Sequence, residues 1–170
     1  GVSAGRARSL HFTTQFAIKR APDRDLVDVF VRVSNHCYTR KRAEEPPNQI
    51  VDRQMHRSGE VEERVFCVDR WQFGQCLPTL IEELAQKRCL QQGDSLEVFY
   101  RHEKPPAPHD LSGWYVCLRM NYRRNQAIPF ELNVRSIHWR PNRSQGERRQ
   151  PPIRFDKLLV RFLNAKVGKP

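Results

Sequence analysis

The chain has 170 residues, 38% of them hydrophobic and 29% charged, which suits one domain with a polar surface and leaves Val, Leu, Ile and Phe enough for a core. No apolar run approaches the roughly 18 to 20 residues of a membrane span, which excludes an integral helical membrane protein as the reading and leaves no membrane partner to expect. The formal net charge of +11 is unevenly placed: residues 1–85 hold 13 basic and 12 acidic residues, residues 86–170 hold 17 and 7. The excess therefore lies in the second half.

In chain order, residues 1–10 read as a flexible N-terminal segment and 11–170 as a single α+β domain. The opening GVSAGRARSL lacks the apolar stretch of a secretory signal, so a cytoplasmic protein is expected. Phe12, Thr14, Phe16 and Ile18 alternate with polar or small residues, as in a half-buried strand, and Val27, Val29, Val31 and Val33 repeat the pattern. With Pro22-Asp23-Arg24-Asp25 as the turn between them, the two segments predict a hairpin.

The stretch from Tyr38 to Glu63 is polar, carries Pro46-Pro47 and Ser58-Gly59, and is predicted as a long mobile loop, about 40–63. Leu77, Leu80, Ile81 and Leu84 follow helical spacing, with Pro78 suited to a first turn and Gly93 to the residue past the end, which predicts one long helix over 78–91. The runs SLEVFYR, WYVCLRMNY and FELNVRSIHW predict an antiparallel meander. Residues 140–152 read as a flexible basic arm, and Phe155, Leu158, Leu159, Phe162 and Leu163 predict a closing amphipathic helix. The expected order is β-β-α-β-β-β-α, a mainly antiparallel sheet with one long helix.

Of the 30 basic residues 23 are arginine, whose planar guanidinium binds phosphate through two bonds and stacks on bases. This points to a nucleic acid, against the plainer reading of a cationic but functionless surface. Trp114, Tyr115, Tyr122 and Trp139 are interleaved with Arg119, Arg123, Arg124 and Arg140, and Arg135, Arg143, Arg148 and Arg149 extend the basic set. Ring stacking beside phosphate contact favours RNA over duplex DNA, although core packing accounts for some of these rings, notably Trp114 and Tyr122. An acidic protein is the alternative partner, met by an inhibitor or adaptor with the same basic face.

Three segments offer chemistry. Ser34-Asn35-His36-Cys37-Tyr38-Thr39-Arg40 sits where a strand meets a loop and supplies imidazole, hydroxyl and guanidinium, or else satisfies backbone groups as the strand ends. Asp69 beside Arg70 could orient a guanidinium or form a plain structural pair. Ser136 and His138, continuing the alternation of Phe130, Leu132 and Val134, are expected on the face turned toward the core, as hydrogen-bonded packing or as the floor of a cleft.

The five cysteines are expected to be reduced thiols. His36, Cys37, Cys67 and Cys76 lack familiar zinc spacing, and the carboxylates of the basic half are too scattered for two-metal hydrolysis. Neither a Gly-rich phosphate loop nor a nucleophile elbow occurs, so no metal and no cofactor is expected. What these exclusions leave is metal-independent ribonuclease chemistry, with His36, Thr39, Arg40, Arg70 and His138 as the catalytic set, or RNA binding without cleavage.

The runs VRVSNHCYTR and RVFCVDRWQFGQCLPTLIEEL resemble small uncharacterised proteins of prophage and mobile-element regions that share a Ser-x-His-Cys-aromatic-Thr segment, over residues 26–90 with an echo at VRSIHW. That resemblance implies a genetic context without an assigned activity; a toxin-like effector is the expectation that goes with the ribonuclease reading. The element order is also similar to RelE and barnase-like ribonucleases, a likeness of topology alone.

Overall fold

The computed structural model describes residues 10–20, 23–91, 97–102, 113–141 and 151–167. Alternation puts Phe16 and Ile18 of β1 (Leu10–Arg20) and Val29, Val31 and Val33 of β2 (Asp23–Val33) in the core, and the two strands pair antiparallel with Phe12 opposite Val31. The predicted hairpin is present.

The segment expected to be a mobile loop is instead a small antiparallel sheet. Its strands β3 (Thr39–Lys41), β4 (Ile50–Met55) and β5 (Val61–Phe66) lie in the order β3-β5-β4. In β4 the half-buried positions are Ile50, Asp52 and Gln54, so a period of two exists there with polar side chains on its inner side. Hydrophobicity alone hides such a strand. The β4–β5 turn closes at Gly59, whose φ of 86° is open to glycine at no steric penalty, with the Gly59 N–H donating to His56 O at 2.9 Å.

The predicted long helix over 78–91 is also corrected. The structure has α1 (Val68–Gly74), α2 (Leu77–Glu82), a 3-10 turn over Leu84–Gln86 and then a strand, β6 (Arg88–Gln91). The apolar spacing holds as far as the turn, since Leu77, Leu80, Ile81 and Leu84 are all buried. Past it, Cys89 is buried between two strands, pairing with Ile153 of β10 (Ile153–Arg154), while Leu90 pairs with Phe99 of β7 (Glu97–His102). Backbone pairing on both sides outweighs a modest helical propensity.

The predicted meander is formed by β7, β8 (Gly113–Tyr122) and β9 (Phe130–Arg140). Strand β9 then runs parallel to β2, with Val31 opposite Leu132 and Val33 opposite Val134, which joins hairpin and meander into one seven-stranded sheet, β1-β2-β9-β8-β7-β6-β10. The terminal helix α3 (Phe155–Val167) buries Phe155, Leu158, Leu159, Phe162 and Leu163, and Phe155 meets Phe16 edge-on at 5.5 Å. The chain is thus mostly β, and the expected α+β order with one long helix does not hold. Among the described residues no helix is long and apolar enough to cross a membrane.

One irregularity positions the polar residues. Cys117 pairs with Ser136 but Leu118 pairs with Val134, so Arg135 is an extra residue in β9, a β-bulge. The buried positions consequently pass from Phe130, Leu132 and Val134 to Ile137. Ser136 and His138 therefore share a face with Glu131 and Asn133, opposite to the side the uninterrupted alternation predicts.

Candidate functional site: an arginine-lined trough

That polar face, together with the edge of the small sheet, encloses an open trough of about 1090 Å³. One wall is the large sheet, with Arg32 of β2, Arg119 and Asn121 of β8, Arg123 just beyond it, and Glu131, Asn133 and Arg135 of β9. The other is Ser34, Asn35 and His36 after β2, and Asp52, Arg53, Gln54 and Met55 of β4. Five arginines thus face two carboxylates.

Glu131, only 4% exposed, organises the first wall. It accepts from Asn133 Nδ2 at 2.7 Å, Asn121 Nδ2 at 3.3 Å and Arg123 Nη2 at 3.2 Å, and Arg32 approaches to 3.7 Å. Burial raises its pKa, but the amide bonds and the two guanidinium charges outweigh that and hold the carboxyl below its ordinary value. Arg135 is ion-paired with Glu97 and Arg53 with Glu63 at 3.1 Å. Arg119 is exposed and has no ion pair among the described residues. Each paired guanidinium has five N–H groups and keeps donors for a ligand.

The second wall is a hydrogen-bonded chain. His36 Nε2 lies 2.9 Å from Gln54 Oε1; because that oxygen only accepts, the imidazole carries its proton on Nε2. Gln54 Nε2 donates to Asn35 Oδ1 at 3.1 Å and to Asp52 Oδ2 at 3.0 Å, and Asn35 Nδ2 donates to the same Asp52 oxygen. Burial lowers the His36 pKa, with the charges of Arg64 and Arg70 in the same direction and the Gln54 bond against it.

The five residues expected to be catalytic take different roles, although Arg70 bonds to the backbone of His36 and Thr39 and its charge reaches His138. His36 lines the trough. Thr39 is fully buried: its hydroxyl donates to Asn35 O at 2.8 Å and accepts from Arg64 Nε at 2.8 Å. Arg70 Nη1 donates to the carbonyls of His36 at 3.1 Å and Thr39 at 2.7 Å, latching the turn that carries His36, whereas neighbouring Asp69 is exposed. Arg40 pairs with Glu45. His138 stacks on Tyr115 with ring centroids 5.9 Å apart, and its Nε2 accepts from Arg140 Nε at 2.9 Å. Burial, then the charges of Arg140 and Arg70, push its pKa down to about 4. An imidazole held neutral, with one nitrogen occupied, is poorly suited to donate a proton near pH 7.

The binding set divides as well. Arg119, Arg123 and Arg135 meet in the trough, Arg124 is exposed in the β8–β9 turn, and Arg140 lies over the Tyr115 ring at 5.0 Å. Arg143, Arg148 and Arg149, with most of the predicted basic arm, lie outside the described residues, as do residues 1–9 of the N-terminal segment. The rings are mainly packing: Trp114 stacks on Phe73 at 5.0 Å, Tyr115 is fully buried and Tyr122 packs on the core. Trp139, edge-on to Trp114, is the one of the four that is exposed.

Sequence reading missed Arg32, Asp52, Arg53, Gln54, Asn121, Glu131 and Asn133 as parts of the site. A signal existed in β8 and β9, where Arg119 and Asn121 alternate with buried Leu118 and Met120, and Glu131 and Asn133 lie among buried Phe130, Leu132 and Val134. No comparable signal marked β4.

Fold and site define a mostly β protein in which two sheets enclose an arginine-lined, amide-rich trough. The model of the YjaZ family matches residues 7–163, and the chain belongs to that family. Neither curated proteins nor solved structures gave a match.

Proposed function

We propose that the protein binds single-stranded nucleic acid, RNA in preference, along the trough and does not cleave it. The observation that carries this reading is the convergence of Arg32, Arg53, Arg119, Arg123 and Arg135 on one open trough of about 1090 Å³. Two carboxylates line the trough and Glu63 and Glu97 pair with Arg53 and Arg135 from beside it, so five guanidinium groups against four carboxylates leave a net positive groove for phosphates, and the trough admits a strand by its open side. Arg119 needs no ion pair broken before it meets a phosphate. Binding without cleavage is favoured because His138 is neutral and bonded to Arg140, while Thr39 and Arg70 are spent on holding the chain. The proposal includes action in the cytoplasm, where RNA is available.

Anisotropy of a labelled RNA of about 12 nucleotides, in excess chelator, tests this. Three phosphate contacts give a slope of log affinity on log salt near about −2, from roughly −0.7 per contact on single strands. Arg119→Gln with Arg135→Gln is expected to weaken binding at least about tenfold and to flatten that slope. The RNA should be recovered at full length. An affinity indifferent to both salt and the double substitution would end the proposal, and shortening of the RNA would restore the ribonuclease reading.

A further inference from the structure

The two walls of the trough are chemically unlike, and the difference falls on one carboxylate. Asp52 Oδ2 accepts from both Asn35 and Gln54, which fixes the carboxylate plane. Gln54 is itself fixed, with both its amide protons given to Asn35 and Asp52 and its oxygen held by His36. Asp52 Oδ1 has no partner among the described residues, although Asp52 lines the trough. A fixed carboxylate oxygen repels phosphate and asks for a hydrogen-bond donor.

A nucleic-acid strand whose phosphates lie on the arginine wall can supply such a donor from every sugar only if the sugar is ribose. We propose that Asp52 accepts a hydrogen bond from a ribose 2′-hydroxyl and is the residue by which the trough prefers RNA to DNA. The inference rests on the trough being where nucleic acid binds. The arginines supply affinity that both polymers share, and Asp52 supplies the discrimination. A base N–H could satisfy the same oxygen, but that donor is present in RNA and DNA alike and would give no preference between them.

The test uses the full chain and one sequence in three forms: RNA, 2′-O-methyl RNA and DNA. The wild-type protein is expected to bind RNA about ten- to a hundredfold more tightly than the other two, as one hydrogen bond to a charged group provides. Asp52→Ala should bind all three alike, with DNA affinity unchanged or raised because a negative charge has gone. A thermal melt establishes that this variant is folded, and if it is not, the wild-type comparison of RNA with 2′-O-methyl RNA decides alone. Equal wild-type affinity for the three forms, or discrimination that survives Asp52→Ala, overturns the role of Asp52 while leaving the trough as a binding site. Failure of every form to bind removes both readings.

Discussion

Replacing Arg70 by Met keeps the aliphatic stem of the side chain and deletes the guanidinium, which separates a structural role from a functional one. In the native protein Nη1 reaches the His36 carbonyl at 3.1 Å and the Thr39 carbonyl at 2.7 Å. Hydrogen bonds to a charged group contribute roughly 1.5–3 kcal/mol each, so two would suggest a loss of about 4 kcal/mol. That figure is too high here. The Thr39 carbonyl also accepts from Arg64 Nη2 at 3.0 Å and keeps a partner, so only the His36 carbonyl is left without one. Arg70 is moreover half-buried, and water reaches part of the gap. The expected loss is about 2 kcal/mol, or a fall in melting temperature of about 4–8 °C for a chain of this size. Differential scanning calorimetry measures it, with RNA anisotropy recorded well below the transition. Affinity should stay within about twofold of wild type. A melting temperature unchanged to within about 1 °C, or RNA binding abolished in a protein of native stability, would refute the assignment of Arg70 as a latch.

His138 gives a pH dependence. Its folded pKa, pushed down to about 4, lies below the ordinary histidine value near 6.5, so between those limits the unfolded chain binds a proton that the folded one refuses. Its contribution to stability is complete above about pH 6.5 and is lost as pH falls toward 4, by at most about 3 kcal/mol; urea midpoints across that range should show the decline, and His138→Gln should flatten it. A decline of the same size in the variant would assign the acid sensitivity to other groups. For the core, Phe155→Ala is expected to lower stability by about 3–5 kcal/mol, since the ring is fully buried and packs edge-on against Phe16 at 5.5 Å. A loss under about 1 kcal/mol in urea titration would mean that α3 is not anchored as described.

The elements legible in the sequence are those whose apolar residues carry the period of their own secondary structure. Val27, Val29, Val31 and Val33 announce β2, and Phe155, Leu158, Leu159, Phe162 and Leu163 announce α3, because in each case the repeating positions are buried or, at Val27, packed against the core. The small sheet was not legible, since the inner side of β4 presents Asp52 and Gln54 to a polar trough and no apolar period is required there. The helix over 78–91 failed at its far end, where Cys89 answers to Ile153, 64 residues further along the chain.

Of the site, the sequence disclosed an excess of arginine past the midpoint and the polar turn around His36, because composition and local spacing are properties of the chain itself. Tertiary structure alone decided which arginines meet. The parallel pairing of β2 with β9 brings Arg32 beside Glu131 and Asn133, and the extra residue at Arg135 sends Ser136 and His138 to the polar face. The physical reason is that a single inserted residue reverses every later side chain of a strand, while the choice of a distant pairing partner rests on the whole core and leaves no mark on either segment by itself.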